Sequence, residues 1–408
     1  MLENLKILVR QRPVFYCAAS LMYAWSSGLR AAVKAELLRR IGSTYLRPVT
    51  RKLVVVYCFF PSHYQNLRGI PELLTERIES CDVWVLCNFK TMEYEVKIDS
   101  ANILIRQNIP YHVCRLIKAD LFLSPMVGLS PCSMPFGSKS IHFLVSLAGL
   151  DGVYLDHHFD GWDYIFCAGE SQIADFKRLA RRRDIAGIKL IRGGYPKLDD
   201  QIISARRSGG AVAGAVIYAP THVYQGNDKL ATLLSHGERI VEQLLQLGIK
   251  TIFRPHPASL VHVEDMAVIK RICDRHRGNA LFKLDDSKDY SGSYAEANIM
   301  VTDLSGTGFT FAFAFERPVI FFAPNVVAEE GLQGTHFTDR ERIGKVIRDL
   351  DKLRDSLHEI EMSYDSYVKK ISTYRDESVF NVGRSRESFI ESVADIIRNR
   401  DNLKWEVL

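Results

Sequence analysis

The sequence has no Cys-x-x-Cys pair, no internal repeat, no low-complexity stretch and no apolar run long enough to cross a bilayer. Its eight cysteines, at positions 17, 58, 81, 87, 114, 132, 167 and 273, are scattered. Several sit in or beside apolar runs, where a thiol behaves as a small hydrophobe. That pattern argues against a disulfide framework or a zinc ribbon and for a reducing cytoplasm. The formal net charge is only +5, and no zinc-finger or RNA-recognition signature is present, so nucleic acid is not the expected partner. No secretory signal is recognisable. Val14 to Trp25 is apolar, yet its span of about 12 residues falls short of the roughly 20 needed to cross a bilayer, and no clear cleavage site follows. Lys6, Arg10, Arg12, Arg30, Lys34, Arg39 and Arg40 surround it. Two readings stay open for this segment: a helix lying in a membrane interface, or one docked on the protein's own core.

What is present is an alternation of strands and helices. A chain of 408 residues is long enough for two domains. Residues 1–48 read as helical. Leu53 to Phe60 is a continuous apolar run, the signature of a strand buried on both faces. Val83 to Cys87, Asn102 to Ile105, Leu121 to Ser124, Ile141 to Val145 and Tyr164 to Cys167 read as further strands, with helices over Ile70 to Ser80 and Ser171 to Arg183. The small-residue stretch 208–214 marks a boundary. The pattern then restarts: strands at Val216 to Tyr218, Thr251 to Arg254, Ile299 to Thr302 and Val319 to Phe322, and helices at Glu238 to Leu247, Val263 to Asp274 and Gly308 to Phe315. The prediction is an α/β protein with two Rossmann-like domains facing a cleft, over 49–207 and 208–345, and C-terminal helices over 346–408.

Four constellations fall where strands should end. Thr221, in Tyr218-Ala219-Pro220-Thr221, offers a hydroxyl and a turn, although a plain strand-ending turn looks the same. In Arg254-Pro255-His256-Pro257, two prolines stiffen the backbone around one histidine. His256 could then donate to phosphate or titrate near neutrality, and Arg254 could bind phosphate bidentately or form a structural salt bridge. Asp303-Leu304-Ser305-Gly306-Thr307-Gly308 joins a strand to an apolar helix through a hydroxyl- and glycine-rich turn, which suits an anion or an ordinary helix cap. Asp303 would orient a donor group or bind ribose. No lysine follows the turn, so it is not a P-loop. His142 is a candidate general base. His157 and His158, between Asp156 and Asp160, suggest a metal only weakly, because adjacent ligands rarely point the same way. No Asp-x-Asp pair accompanies the predicted cleft, and Asp285-Asp286 reads as a solvated loop. Neither metal nor cofactor is expected.

Taken in order, Gly194-Tyr195-Pro196-Lys197-Leu198-Asp199, the Thr221 and His256 motifs, Tyr294 to Ser305 and Arg317-Pro318-Val319-Ile320-Phe321-Phe322 resemble the CDP-glycerol glycerophosphotransferase family, which includes teichoic acid and capsule polymerases. The likeness spans roughly residues 140 to 325. It implies a GT-B fold with the nucleotide held by the C-terminal domain, and pyrophosphate contacts from His256 and the turn Asp303 to Thr307. It also implies direct attack of an acceptor hydroxyl on the donor phosphorus. The partners would be a CDP-linked donor and a lipid- or saccharide-linked acceptor at the inner membrane face. The chain departs from the family in three places. It lacks the tripeptide Trp-His-Gly, for which His142 is the nearest substitute. Gly306 replaces a hydroxyl residue, and His222 stands where tryptophan is common. These differences leave open a nucleotide-sugar donor, or a non-catalytic role in the same machinery.

Overall fold

The computed structural model describes residues 50–90, 102–135, 137–151, 153–207, 214–223, 227–287 and 290–408. The segment 1–48, with its interfacial and core-docked alternatives, lies outside the described residues, as does most of the small-residue stretch at 208–214. No described helix is long and apolar enough to cross a membrane. Of the described cysteines, Cys58, Cys81, Cys87, Cys114, Cys167 and Cys273 are free thiols. Cys132 is disulfide-bonded, a pairing that its spacing in the sequence does not signal.

Two sheets organise the chain. The first contains Lys52–Cys58 (β1), Cys81–Cys87 (β2), Ile103–Arg106 (β3), Leu121–Ser124 (β4), Lys139–Phe143 (β5), Tyr164–Cys167 (β6) and Lys189–Arg192 (β7), in the order β3-β2-β1-β4-β5-β6-β7. These strands are parallel, and β1 is buried from Leu53 to Cys58 because helices and loops cover both of its faces. The second contains Ala215–Tyr218 (β8), Thr251–Phe253 (β9), Phe282–Leu284 (β10), Ala297–Thr302 (β11), Val319–Phe322 (β12) and Gly344–Ile347 (β13), also parallel, in the order β10-β9-β8-β11-β12-β13. Glu406–Val407 (β14) returns to pair antiparallel with β7. The direction of strand addition reverses between β1 and β4 and again between β8 and β11. At such reversals the loops beyond the strand ends part and leave a crevice.

The helices that place the site are Ile70–Arg77 (α1), Glu170–Arg183 (α2), Pro196–Arg207 (α3), Leu233–Gln246 (α4), Val263–Arg275 (α5), Ser291–Glu296 (α6), Thr307–Phe315 (α7), Tyr364–Ser378 (α8) and Ser385–Ile397 (α9). Helix α7 is apolar almost all round, and Gly308 through Ala314 are buried. Such a helix needs neighbours on every side. It finds them in both halves: Phe309, Phe311 and Phe313 share one cluster with Leu147, Ala168, Tyr195, Leu198 and Ile202 from the first half and with Tyr374 of α8. The chain then crosses back. Phe389 of α9 meets Phe143 and Phe166 edge-to-face at 5.3 and 4.9 Å.

The Gly194-to-Asp199 element fastens this return. Gly194 has φ 109°, and a Cβ there would lie 2.5 Å from the carbonyl oxygen of Phe380 and from Ser385 Oγ, so only glycine fits. The Tyr195 amide donates to Ser385 Oγ at 2.9 Å. The buried Asp199 carboxylate accepts from the amides of Gly383 (2.7 Å) and Ser385 (2.9 Å) at the start of α9, where a negative charge is favoured. Replacing Asp199 with alanine should lower stability by about 2 kcal/mol. Denaturant unfolding would record this as a lower midpoint at unchanged slope; a wild-type midpoint would show the latch to be dispensable.

Candidate functional site

The strand reversal at β8 and β11 sets two turns side by side. Asp303, 1% exposed, bridges them. Its Oδ1 accepts from the amide (2.9 Å) and hydroxyl (2.6 Å) of Thr221 and from the Leu304 amide (2.8 Å). Its Oδ2 accepts from the amide (2.8 Å) and hydroxyl (2.9 Å) of Thr232, the residue before α4. Five donors saturate the carboxylate. Asp303 therefore orients its own neighbours and has no lone pair left for ribose, and the Thr221 hydroxyl proton points at Asp303, not at a ligand. Both were expected at the donor; in the structure both are engaged with protein groups.

Arg254 is likewise turned inward. Its guanidinium, 8% exposed, bonds Asp285 Oδ2 at 2.6 Å and the Ser287 carbonyl at 2.9 Å, and lies 5.4 Å from the Tyr290 ring centroid. The salt bridge, one of the two roles left open for Arg254, is present in the structure. Asp285 is its buried partner, at 5% exposure, and not the solvated loop residue expected. His256, next along, faces outward. Its Nδ1 accepts from the Ala258 amide at 3.1 Å, which leaves the proton of the neutral ring on Nε2. The ring is open to the crevice yet walled by protein. That crowding, and then the neighbouring His222, Arg254 and Lys197, push its pKa down to about 4. At neutral pH His256 thus presents a neutral N–H donor.

Two groups beside it did not stand out in the sequence as ligands. Lys197, from the first half, lies 5.1 Å from the Tyr290 centroid with no carboxylate partner among the described residues. Burial, and then Arg254, lower its pKa to about 8. Its signal was its place in the Gly-Tyr-Pro element. His222 stacks on His256 at 5.9 Å and 18°; its signal was the departure from tryptophan after Pro220-Thr221. The turn into α7 completes the border. The residue that caps α7 is Gly306, with no side-chain cap, but Ser305 Oγ accepts from the Thr307 amide at 3.2 Å, so the Ser305 hydroxyl proton points elsewhere. A Cβ on Gly306 would come within 3.0 Å of Ala148 Cβ and Ser146 Oγ, so this turn abuts the loop after β5. Because Thr221 bonds Asp303 and His222 stacks on His256, the proline-framed histidine and the α7 entrance share one edge of the sheet.

His142 is elsewhere. It is 1% exposed, packed against Phe159 (5.2 Å) and Trp162 (5.1 Å), and its Nδ1 has no hydrogen-bond partner. Burial pushes its pKa down to about 3. A ring so enclosed has no open face for an acceptor hydroxyl, and the structure does not bring it to the crevice. Asp156 pairs with Arg182, and Asp160 with Arg183; among the described residues no group of three or more His, Cys, Asp or Glu could hold a metal.

Arg254→Ala would strand the Asp285 carboxylate in the interior, and should cost about 3–5 kcal/mol in stability. A variant with native stability but no donor affinity would instead return Arg254 to the ligand.

The comparisons agree with this architecture. Among curated proteins none matches the chain. The wall teichoic acid polymerase TagF is similar in structure at 17% identity, with a TM-score of 0.58 over 93% of this chain and 97% of that one. The UDP-GlcNAc 2-epimerase of Neisseria meningitidis bound to UDP-GlcNAc is similar at 13% identity, with a TM-score of 0.57 over 84% of this chain and 99% of that one. At these identities the likeness establishes the fold, two facing α/β halves of GT-B type. The profile of the CDP-glycerol:poly(glycerophosphate) glycerophosphotransferases matches residues 151–395. That span takes in α3 with Lys197, the proline-framed histidine, the Asp303 turn and the returning helices, and on it the chain belongs to this family of glycerophosphotransferase enzymes.

Proposed function

We propose that the enzyme moves glycerophosphate, or a similar alditol phosphate, from a CDP-linked donor to a hydroxyl of a lipid- or saccharide-linked acceptor, in the synthesis of a teichoic acid or capsule polymer. The observation that carries the reading is His256 Nε2–H beside the ammonium of Lys197, which has no carboxylate partner among the described residues, with the entrance to α7 and the Ser305 hydroxyl on the same sheet edge. A pyrophosphate is the ligand of matching charge and size. One TagF variant in this fold was soaked with CDPG. In the proposed site His256 donates to a phosphate oxygen, Lys197 neutralises charge and Gly306 lets the turn pack close against the loop of the first half. Asp303, Thr221, Arg254 and Thr307 hold these groups in place. The acceptor oxygen attacks the distal phosphorus, and CMP leaves. Preorganised donors of this kind lower the barrier by stabilising the charge of the transition state. The cation-flanked apolar segment within 1–48 suits a place on the inner face of the membrane.

A nucleotide-sugar donor is the second reading. It is favoured by the likeness to an epimerase bound to UDP-GlcNAc and by the changes at His222 and Gly306. The released nucleotide decides between them. With a panel of CDP-alditols and nucleotide sugars, CMP is the expected product and His256→Ala should reduce kcat by about 10²- to 10³-fold. Release of UDP would overturn the first reading, and full activity of the alanine variant would remove His256 from the site.

Lys197 makes donor binding depend on pH. Its pKa of about 8 means that the free enzyme loses this charge as pH rises, and a bound anion favours the protonated form. The apparent donor Kd should weaken about tenfold between pH 7 and pH 9, and Lys197→Met should bind weakly with a flat profile. A wild-type profile that is itself flat across this range would refute the role.

A further inference from the structure

With His142 enclosed, the crevice still holds an imidazole built to accept a proton. Asp265 lies fully inside the protein and touches two histidines: its Oδ2 is 3.0 Å from His222 Nδ1 and its Oδ1 is 3.2 Å from His262 Nδ1. Burial opposes its charge, but hydrogen bonds from Ser259, His222 and His262 outweigh burial and hold its carboxyl below the ordinary carboxylate range. A carboxylate only accepts, so both imidazoles must carry hydrogen on Nδ1. In the neutral ring of His222 this leaves the lone pair on Nε2. His256, stacked against it, is fixed the other way, since its Nδ1 accepts from the Ala258 amide. Two parallel rings therefore present unlike faces at one place. One offers an N–H to a phosphate oxygen, and the other offers a basic nitrogen.

We infer that His222 is the general base of the transfer and that Asp265 is its positioning residue. The inference rests on the proposed phosphate donor. In the step, His222 Nε2 takes the proton of the acceptor hydroxyl. The freed oxygen pair forms the new O–P bond at the distal phosphorus, and the P–O bond to the bridging oxygen breaks with its electron pair on the departing nucleoside monophosphate. The groups facing His222 are Asp265 from α5, Ser259 from the turn before it, and the rings of His256 and His262. Arg254 and Lys197 lie beyond His256, and the Asn227 amide holds the His222 carbonyl at 2.9 Å. This replaces a base in the first half with one in the second, beside the phosphate it serves.

The test uses the full-length enzyme with whichever CDP-alditol it turns over. His222→Gln and His222→Ala should keep CDP-alditol affinity within about twofold, measured by calorimetric titration, and lose kcat by about 10²- to 10³-fold. The fall of kcat/KM at acid pH should vanish in both, and free imidazole should restore part of the rate to His222→Ala. Asp265→Asn removes the neighbouring anion, so the acid fall should move to lower pH. An acid limb that persists in both His222 variants, or a raised donor Kd at unchanged kcat, would overturn the assignment and leave His222 a phosphate ligand. Should the wild-type protein release no CMP from any CDP-alditol, the donor reading fails first and takes this step with it.

Discussion

One buried carboxylate sets the geometry of the crevice. Asp303 receives five hydrogen bonds from the ends of three segments: the turn after β8, the residue before α4, and its own turn after β11. A parallel sheet gives no local reason for β8 and β11 to end in register, since the two strands are distant in sequence. Asp303 supplies it. With Thr221 fixed, His222 is placed against His256, and with Leu304 fixed, the chain enters α7 next to the loop of the first half. Hydrogen bonds to a charged acceptor are worth about 1.5–3 kcal/mol each, so the cluster is a strong constraint.

Arg254 and Asp285 play the matching part on the other wall. Their salt bridge holds the base of the Pro255-His256-Pro257 arm, and Tyr290 covers both Arg254 and Lys197. Arg317 donates to the carbonyls of Tyr294, Ala295 and Ala297, at the end of α6, where a cation suits the helix terminus. Most of the sequence elements that mark the family thus bind one another. They form a frame, and few of their polar atoms are left over for a ligand.

Much of the fold was legible because buried parallel strands are continuous apolar runs. Leu121–Ser124, Tyr164–Cys167 and Val319–Phe322 run over the residues expected. The strands that escaped were β7, β10, β13 and β14. β10, β13 and β14 lie at or beside sheet edges, carry exposed or half-exposed residues, and so lack the signal. At the site, the proline frame pointed to His256, and its outward imidazole fits that reading. Arg254, Thr221 and Asp303 were singled out as candidate ligands, and the structure shows them bonded to protein groups. Asp285 and Thr232, which engage them, lie 31 and 71 residues away, and one-dimensional spacing does not reveal such contacts. His142 sits in a run of alternating apolar residues, and its environment is set by Phe159 and Trp162, which arrive from a later loop.

The return of the chain to the first sheet has a mechanical meaning. Between Val379 and Ser385 the chain goes back to the first sheet, and this passage is pinned by Asp199 and by the bridge from Gly169 to Val379. Lys197 and Asp199 share one helix, so the latch that holds the returning chain also fixes the helix that carries the ammonium.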